Sequence, residues 1–394
     1  VYHPQSPGGV VRHVGMAASS GHAPSKARCG AEPQLLRVRR VGYVNHPQLE
    51  EVICHGHSLD GLLDVALRKT PFFVKWIQVR GYPAPVFLFA AGFAFAVATL
   101  PRIENYTRFS EHFLRRVQRL LFVVLLGYLM YLPYFSLRMT ILSIGSPAWE
   151  NLLKVDILRC IGVSSLFLQF WFLLKPKGAV TLIAISMITI ALPLLTPLVR
   201  NSEVLLGLSG FVRYYFVDSR FPLFYYSSYL TLGFILGHIF TVQKESWLKS
   251  SMPLAAVLIV LAVLLKNVGL SPTLRDFMMK GGVIVLLTIL IERCERLWQR
   301  LPSPVLYFGQ ESLVVYVVHL MIVYGSVLNK GLVYYWGPTL NYCEIYPFIV
   351  WLMAAMVVFA YVWHKLKQEH AAVAKWVKYA IYVPFIVLFL VKPY

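Results

Sequence analysis

Residues 84–100 read APVFLFAAGFAFAVATL, without one charged side chain. Crossing about 30 Å of hydrocarbon takes about 20 apolar residues in a helix, so this run is close to a complete membrane span. Nine further runs follow at short intervals: 117–136, 155–174, 179–199, 222–241, 252–268, 281–292, 305–328, 345–363 and 379–392. The pattern predicts an all-α fold, a polytopic transmembrane helix bundle of about ten membrane helices. The run 281–292 is short for a span.

Composition agrees with this reading. The chain is 58% hydrophobic and only 14% charged, with a mean hydropathy of +0.62, more apolar surface than a water-soluble core can bury. The formal net charge of +19 would suit nucleic acid if it were gathered on one face, but it is spread over loops. Arg102, Arg108, Arg115, Arg116 and Arg119 fall in the first loop, and Lys175 and Lys177 in the third. Lys244 and Lys249 lie in the fifth, Arg293, Arg296 and Arg300 in the seventh, and Lys365, Lys367, Lys375 and Lys378 in the ninth. By the positive-inside rule these odd loops face the cytoplasm and the sparser even loops face out. The partner implied is membrane lipid and not nucleic acid. Self-association as a homodimer is left open by the sequence.

This topology places residues 1–83 outside, although they carry Arg37, Arg39 and Arg40. Residues 1–50 are rich in Pro, Gly, Ser, His and Arg and have no helical period. They read as a disordered or non-native segment ahead of a transmembrane domain at 51–394, and one crossing upstream of residue 55 would reconcile the charges. The five cysteines lack a C-x-x-C spacing, so free thiols are expected.

Three groups of residues carry candidate chemistry. In Cys54-His55-Gly56-His57-Ser58-Leu59-Asp60, a helix starting at Ser58 would place the Asp60 carboxylate one turn from His57 and raise the basicity of the imidazole. The same spacing suits a solvated loop histidine. A metal site of Cys54, His55 and His57 is disfavoured because such short spacings rarely give a tetrahedron, and no metal is expected. In the eighth run, Ser312, Tyr316 and His319 share one helix face, either lining a channel or bonding neighbouring helices. Glu311 is read as complementing the helix dipole.

Asp156 and Arg159, three residues apart at the outer end of the third run, fit an ion pair. Arg80, ahead of Gly81 and the Pro83-Ala84-Pro85 break, fits either an anion contact or a snorkelling cation. Gly233-x-x-x-Gly237 reads as a close packing contact. A Walker loop, dinucleotide fingerprint, zinc helix and nucleophile elbow are all absent from the sequence.

Taken in order, four stretches resemble the family typified by the catalytic domain of heparan-α-glucosaminide N-acetyltransferase and its bacterial relatives. They are Gly56-His57, Ala84 to Phe93, Val155 to Gly162, and Gly309 to Leu313 with Tyr316 and His319. The resemblance covers roughly residues 55–330. It implies an integral membrane acyltransferase, multi-pass in a bacterial inner membrane, that uses acetyl-CoA or another acyl-CoA as co-substrate. The acceptor it implies is a sugar, a lipid or another small hydroxyl or amine compound.

The resemblance also implies that His57 is the key catalytic residue, as general base or as acyl carrier, with Asp60 orienting it. Arg80, Asp156, Arg159, Ser312, Tyr316 and His319 would line the channel. Family members open with a helix carrying an acidic residue and an Arg-Gly pair just before this histidine. No such helix is legible here, which leaves a foreign N-terminal segment or an inactive homologue as expectations. A transporter or flippase, or a non-catalytic scaffold, would also need polar residues at depth and proline-broken helices.

Overall fold

The computed structural model describes residues 81–175, 178–202, 210–243, 246–268, 271–294, 307 and 309–393. Among these the fold is helical apart from one two-stranded turn. Each of the ten apolar runs contains a helix, and among the described residues seven helices are both long and apolar enough to cross a membrane. The protein is a multi-pass integral membrane protein.

The core is a pair of crossed helices. Helix α1 (Pro83–Thr99) opens with Pro83 in its first turn, where the missing N–H is no loss, and runs into a 3-10 turn at Leu100–Asn105. Helix α2 (Glu111–Met130) is capped by Ser110, whose hydroxyl accepts from the Phe113 N–H at 3.1 Å. It begins earlier than the apolar run because its charged first turns lie outside that run. Short helices α3 (Leu137–Leu142) and α4 (Pro147–Leu153) lead to α5 (Ile157–Trp171), capped by Asp156.

Helix α6 (Gly178–Arg200) and the short α7 (Gly210–Phe216) precede α8 (Leu223–Gln243), which with α5 is among the most enclosed spans. Helix α8 packs along α1, with Gly92, Gly233 and Gly237 at the crossing. A Cβ on Gly237 would sit 2.7 Å from the Phe93 carbonyl, and those on Gly92 and Gly233 would run into the Leu230 and Phe89 carbonyls. Glycine is required at these positions because backbone meets backbone, the close approach expected of a small-residue stripe in lipid.

Helices α9 (Trp247–Val268) and α10 (Pro272–Arg293) form a second close pair, and α2 packs on α5. The run 281–292 understates α10 by more than two turns. The missed residues include Arg275, Asp276 and Lys280, and the Lys280 ammonium lies 2.8 Å from Asp276, a pairing that lets charged residues continue the helix. The run 305–328 overstates its helix. Helix α11 (Ser312–Val323) has twelve residues, about 18 Å at 1.5 Å per residue, and is followed by strands β1 (Gly325–Ser326) and β2 (Asn329–Lys330) and by α12 (Leu332–Trp336).

Helix α13 (Tyr342–Glu369) begins at a capping box between Asn341 and Glu344 and runs to the break at His370. Helix α14 (Ala371–Val391) starts directly after it. The expected ninth loop is therefore helix on both sides of one non-helical residue, and its four lysines sit on helix ends. Glu311 stands at the start of α11, as expected, and also makes a link that its place there did not suggest. It makes no cap hydrogen bond; its carboxylate instead accepts from Lys367 Nζ at 2.5 Å and His364 Nδ1 at 3.1 Å on α13. The His364 ring stacks on Tyr307 with centroids 4.0 Å apart. A tertiary link of this kind leaves no periodic trace in sequence.

Candidate active site

Asp156 holds the start of α5. Its Oδ1 accepts from the Arg159 backbone N–H at 3.0 Å, an N-cap bond, and from Arg159 Nε at 3.0 Å. The Arg159 side chain is fully buried and that of Asp156 is 3% exposed. Arg159 Nη1 donates to the Leu152 carbonyl, and the guanidinium lies 4.7 Å from the Tyr128 ring centroid and 5.3 Å from that of Tyr131. Removing a full ion pair from water costs several kcal/mol per ion unless such partners surround it.

The remaining atoms of the pair, Asp156 Oδ2 and Arg159 Nη2, have no hydrogen-bond partner among the described residues. Helix α2 reaches this point because residue 127 is glycine: a Cβ there would lie 2.8 Å from both Arg159 Cγ and Asp156 Oδ1.

Tyr131 joins the buried pair to a cavity. Its hydroxyl accepts from Arg220 Nη1 at 3.3 Å, and Arg220 also lies 5.7 Å from its ring centroid. Above them opens a cavity of about 340 Å³ lined by Tyr131, Arg220, Tyr324, Ser326, Asn329, Lys330 and Tyr334, among others. Tyr316 on α11 is buried within electrostatic reach of Tyr131, Asp156 and Arg220. Its ring meets that of His319 at 5.4 Å. His319 and Ser312 are half-buried, and the His319 Nδ1 lies 3.2 Å from the Val315 carbonyl of its own helix.

A second polar cluster lies at the same ends of α8 and α10. Tyr225 donates to Asp276 at 2.5 Å, and its hydroxyl is 2.8 Å from that of Tyr229. At the opposite end of the bundle, Arg115, Gln118, Arg119, Phe122, Val123 and Leu313 line a cavity of about 440 Å³. Arg115 pairs with Glu111.

Of the residues singled out from sequence, Asp156, Arg159 and Tyr316 converge on one region, and Ser312 and His319 lie on the adjoining helix. His57, Asp60 and Arg80 lie outside the described residues, as do Cys54 and His55. Sequence reasoning missed Tyr128, Tyr131 and the pairing of Arg220 with Lys330 across one cavity. Tyr131 lies inside the apolar run 117–136 and the two cations are 110 positions apart, so only folding associates them.

The fold is thus a multi-pass membrane bundle with a buried ion pair close to a vestibule that carries two basic side chains. A family model described as heparan-alpha-glucosaminide N-acetyltransferase, catalytic, matches residues 53–268, more than half of the chain, and the chain belongs to that family of membrane acetyltransferases. No curated protein matches the chain, and no solved structure does. The match includes the Gly56-His57 segment, α1 through α9 and the Asp156–Arg159 pair. Residues from α10 onward, with the hairpin at Gly325–Lys330, lie beyond it.

Proposed function

We propose that the protein transfers an acetyl or other acyl group from an acyl-CoA thioester to a hydroxyl or amine of a small acceptor, a sugar or lipid, on the opposite side of the membrane. The observation that carries this reading is a pair of cavities, each lined in part by basic side chains, at opposite ends of a chain of this family. One is the basic cavity at Arg115 and Arg119; the other is the vestibule over the Asp156–Arg159 pair.

The arginine-rich first loop supports a cytoplasmic position for the basic end. Arginine suits the phosphates of an acyl-CoA through its planar set of donors. The vestibule end then faces out, on the side where the charge pattern also places His57. His57, oriented by Asp60, takes the acceptor proton as the new acyl bond forms, or first carries the acyl group itself. In either route the thioester C–S bond breaks and the departing thiolate ends protonated as the free thiol. In this reading Arg159, Tyr316 and Arg220 would supply donors to the developing oxyanion.

Membranes containing the protein, given radiolabelled acetyl-CoA and a panel of amino sugars, sugars and lipids, test this reading. It expects label in one acceptor class and none with His57→Ala. Turnover that persists in His57→Ala would remove the histidine from the mechanism. No labelled acceptor from either protein would favour the transporter or scaffold alternatives.

A further inference from the structure

The vestibule has a charge character that the transfer reaction alone does not require. Arg220 and Lys330 are the charged groups among its described lining residues, none of which is acidic. Neither forms an ion pair with an acidic partner among the described residues. Arg220 spends one N–H on the Tyr131 hydroxyl, and Lys330 one on the Tyr334 hydroxyl at 3.0 Å. A guanidinium has five donors and an ammonium three, so most of this capacity is unspent among the described residues. A cavity of this size is within the range of small-molecule sites.

The wall that carries Lys330 is fixed in place. Asn329 Nδ2 donates to the Met321 carbonyl at 2.7 Å, at the end of α11. Ser326 Oγ donates to Asn329 Oδ1 at 2.7 Å and accepts from the Leu328 N–H at 3.1 Å. Gly325 turns the chain with φ of +84°, a conformation that favours glycine. The hairpin thus holds Lys330 over the same cavity as Arg220 before any ligand arrives, and preorganisation of this kind lowers the cost of binding. The tyrosine rings at 131 and 334 add flat apolar faces beside the polar groups.

We propose that this vestibule is the acceptor subsite and that it selects an acceptor bearing a negative group, a carboxylate or a phosphate, next to the hydroxyl or amine to be acylated. This rests on the acyl-transfer reading above for the word acceptor, but the anion preference can be measured without turnover. Arg220 and Lys330 hold the negative group, and Tyr131 links the bound molecule to the buried Asp156–Arg159 pair. Arg220 lies within the family-matched residues and Lys330 with its hairpin lies beyond them.

The test is equilibrium binding to the full chain in nanodiscs of neutral phosphatidylcholine, with glucose, glucuronate and glucose 6-phosphate as probes. A parallel set of nanodiscs carries phosphatidylglycerol. We expect the anionic sugars to bind about tenfold more tightly than glucose, a preference cut to about twofold in Arg220→Gln and reduced less in the solvent-exposed Lys330→Gln. Retained acyl-CoA binding shows that each variant is folded.

Suppression of sugar binding by phosphatidylglycerol, relieved in Arg220→Gln, would assign the same anion chemistry to a lipid headgroup. Equal binding of glucose and glucuronate with no lipid effect would overturn the proposal, as would an anion preference unchanged in both variants. Anion-selective binding without any acyl transfer would keep this subsite and sink the transferase reading instead.

Discussion

Arg159→Met offers a demanding prediction because the structure fixes both what it removes and what it strands. The variant deletes a fully buried guanidinium bonded to Asp156 and to the Leu152 carbonyl and packed on Tyr128 and Tyr131. Asp156 is then a buried carboxylate left with its N-cap bond to residue 159. Breaking a buried pair from one side costs about 3–5 kcal/mol, and the lost cation–π contacts add roughly 0.5–2 kcal/mol.

Asp156→Asn keeps the cap, since Asn caps as well as Asp, but strands the arginine at similar cost. The double variant removes both charges, keeps the cap and fills the space with an apolar chain, so it should recover most of the loss. The assay is the apparent melting temperature of detergent-purified protein, followed by fluorescence-detected gel filtration. Both single variants should melt well below wild type and the double variant between them and wild type. Two results would refute the reasoning: an Arg159→Met protein as stable as wild type, or a double variant showing the full sum of the single losses.

Other consequences follow from the same structure. Gly127→Ala drives a methyl group against Arg159 Cγ and Asp156 Oδ1; overpacking of this kind costs about 1–3 kcal/mol, and melting should fall without loss of membrane insertion. Gly233→Val should prevent α1 and α8 from closing, read as aggregation on gel filtration, whereas Ala in place of the lipid-exposed Val257 should be silent. Arg119→Gln should raise the KM for acyl-CoA about fivefold with kcat nearly unchanged, if the basic cavity meets the phosphates; an unaltered KM would move the donor elsewhere.

Glu311 supplies a pH prediction. Burial raises its carboxyl, but the hydrogen bonds and charges of Lys367 and His364 outweigh burial and hold it below its ordinary value. A depressed carboxyl contributes stability above its unfolded pKa and loses it as pH falls through the folded value. Glu311→Gln should therefore lower the melting temperature at neutral pH and converge with wild type in acid.

The membrane bundle was legible because a span leaves a long one-dimensional signature, and all ten apolar runs fell on helices. Boundaries erred where charge and apolarity part company. Helix α10 continues through Asp276 and Lys280 because they neutralise one another, and α11 stops at Val323 because Gly325 turns the chain into a hairpin inside an apolar stretch. The Asp156–Arg159 pair was readable because its members share a helix turn. Tyr131, Arg220 and Lys330 were not, since they come from three distant connections and each looks like an ordinary interfacial residue alone. The Glu311–His364–Lys367 link was missed for the same reason, and its local context suggested a helix-dipole role.

The most direct test of the central claim is sidedness. Sealed vesicles of known orientation, holding radiolabelled acetyl-CoA at the Arg115/Arg119 face, would receive acceptor only at the Arg220/Lys330 face. Acyl transfer across the bilayer predicts labelled acceptor on the vestibule side, dependent on His57 and absent when donor and acceptor are both confined to that side. Labelled acceptor formed with both reactants on one side, or none in any arrangement, would contradict it.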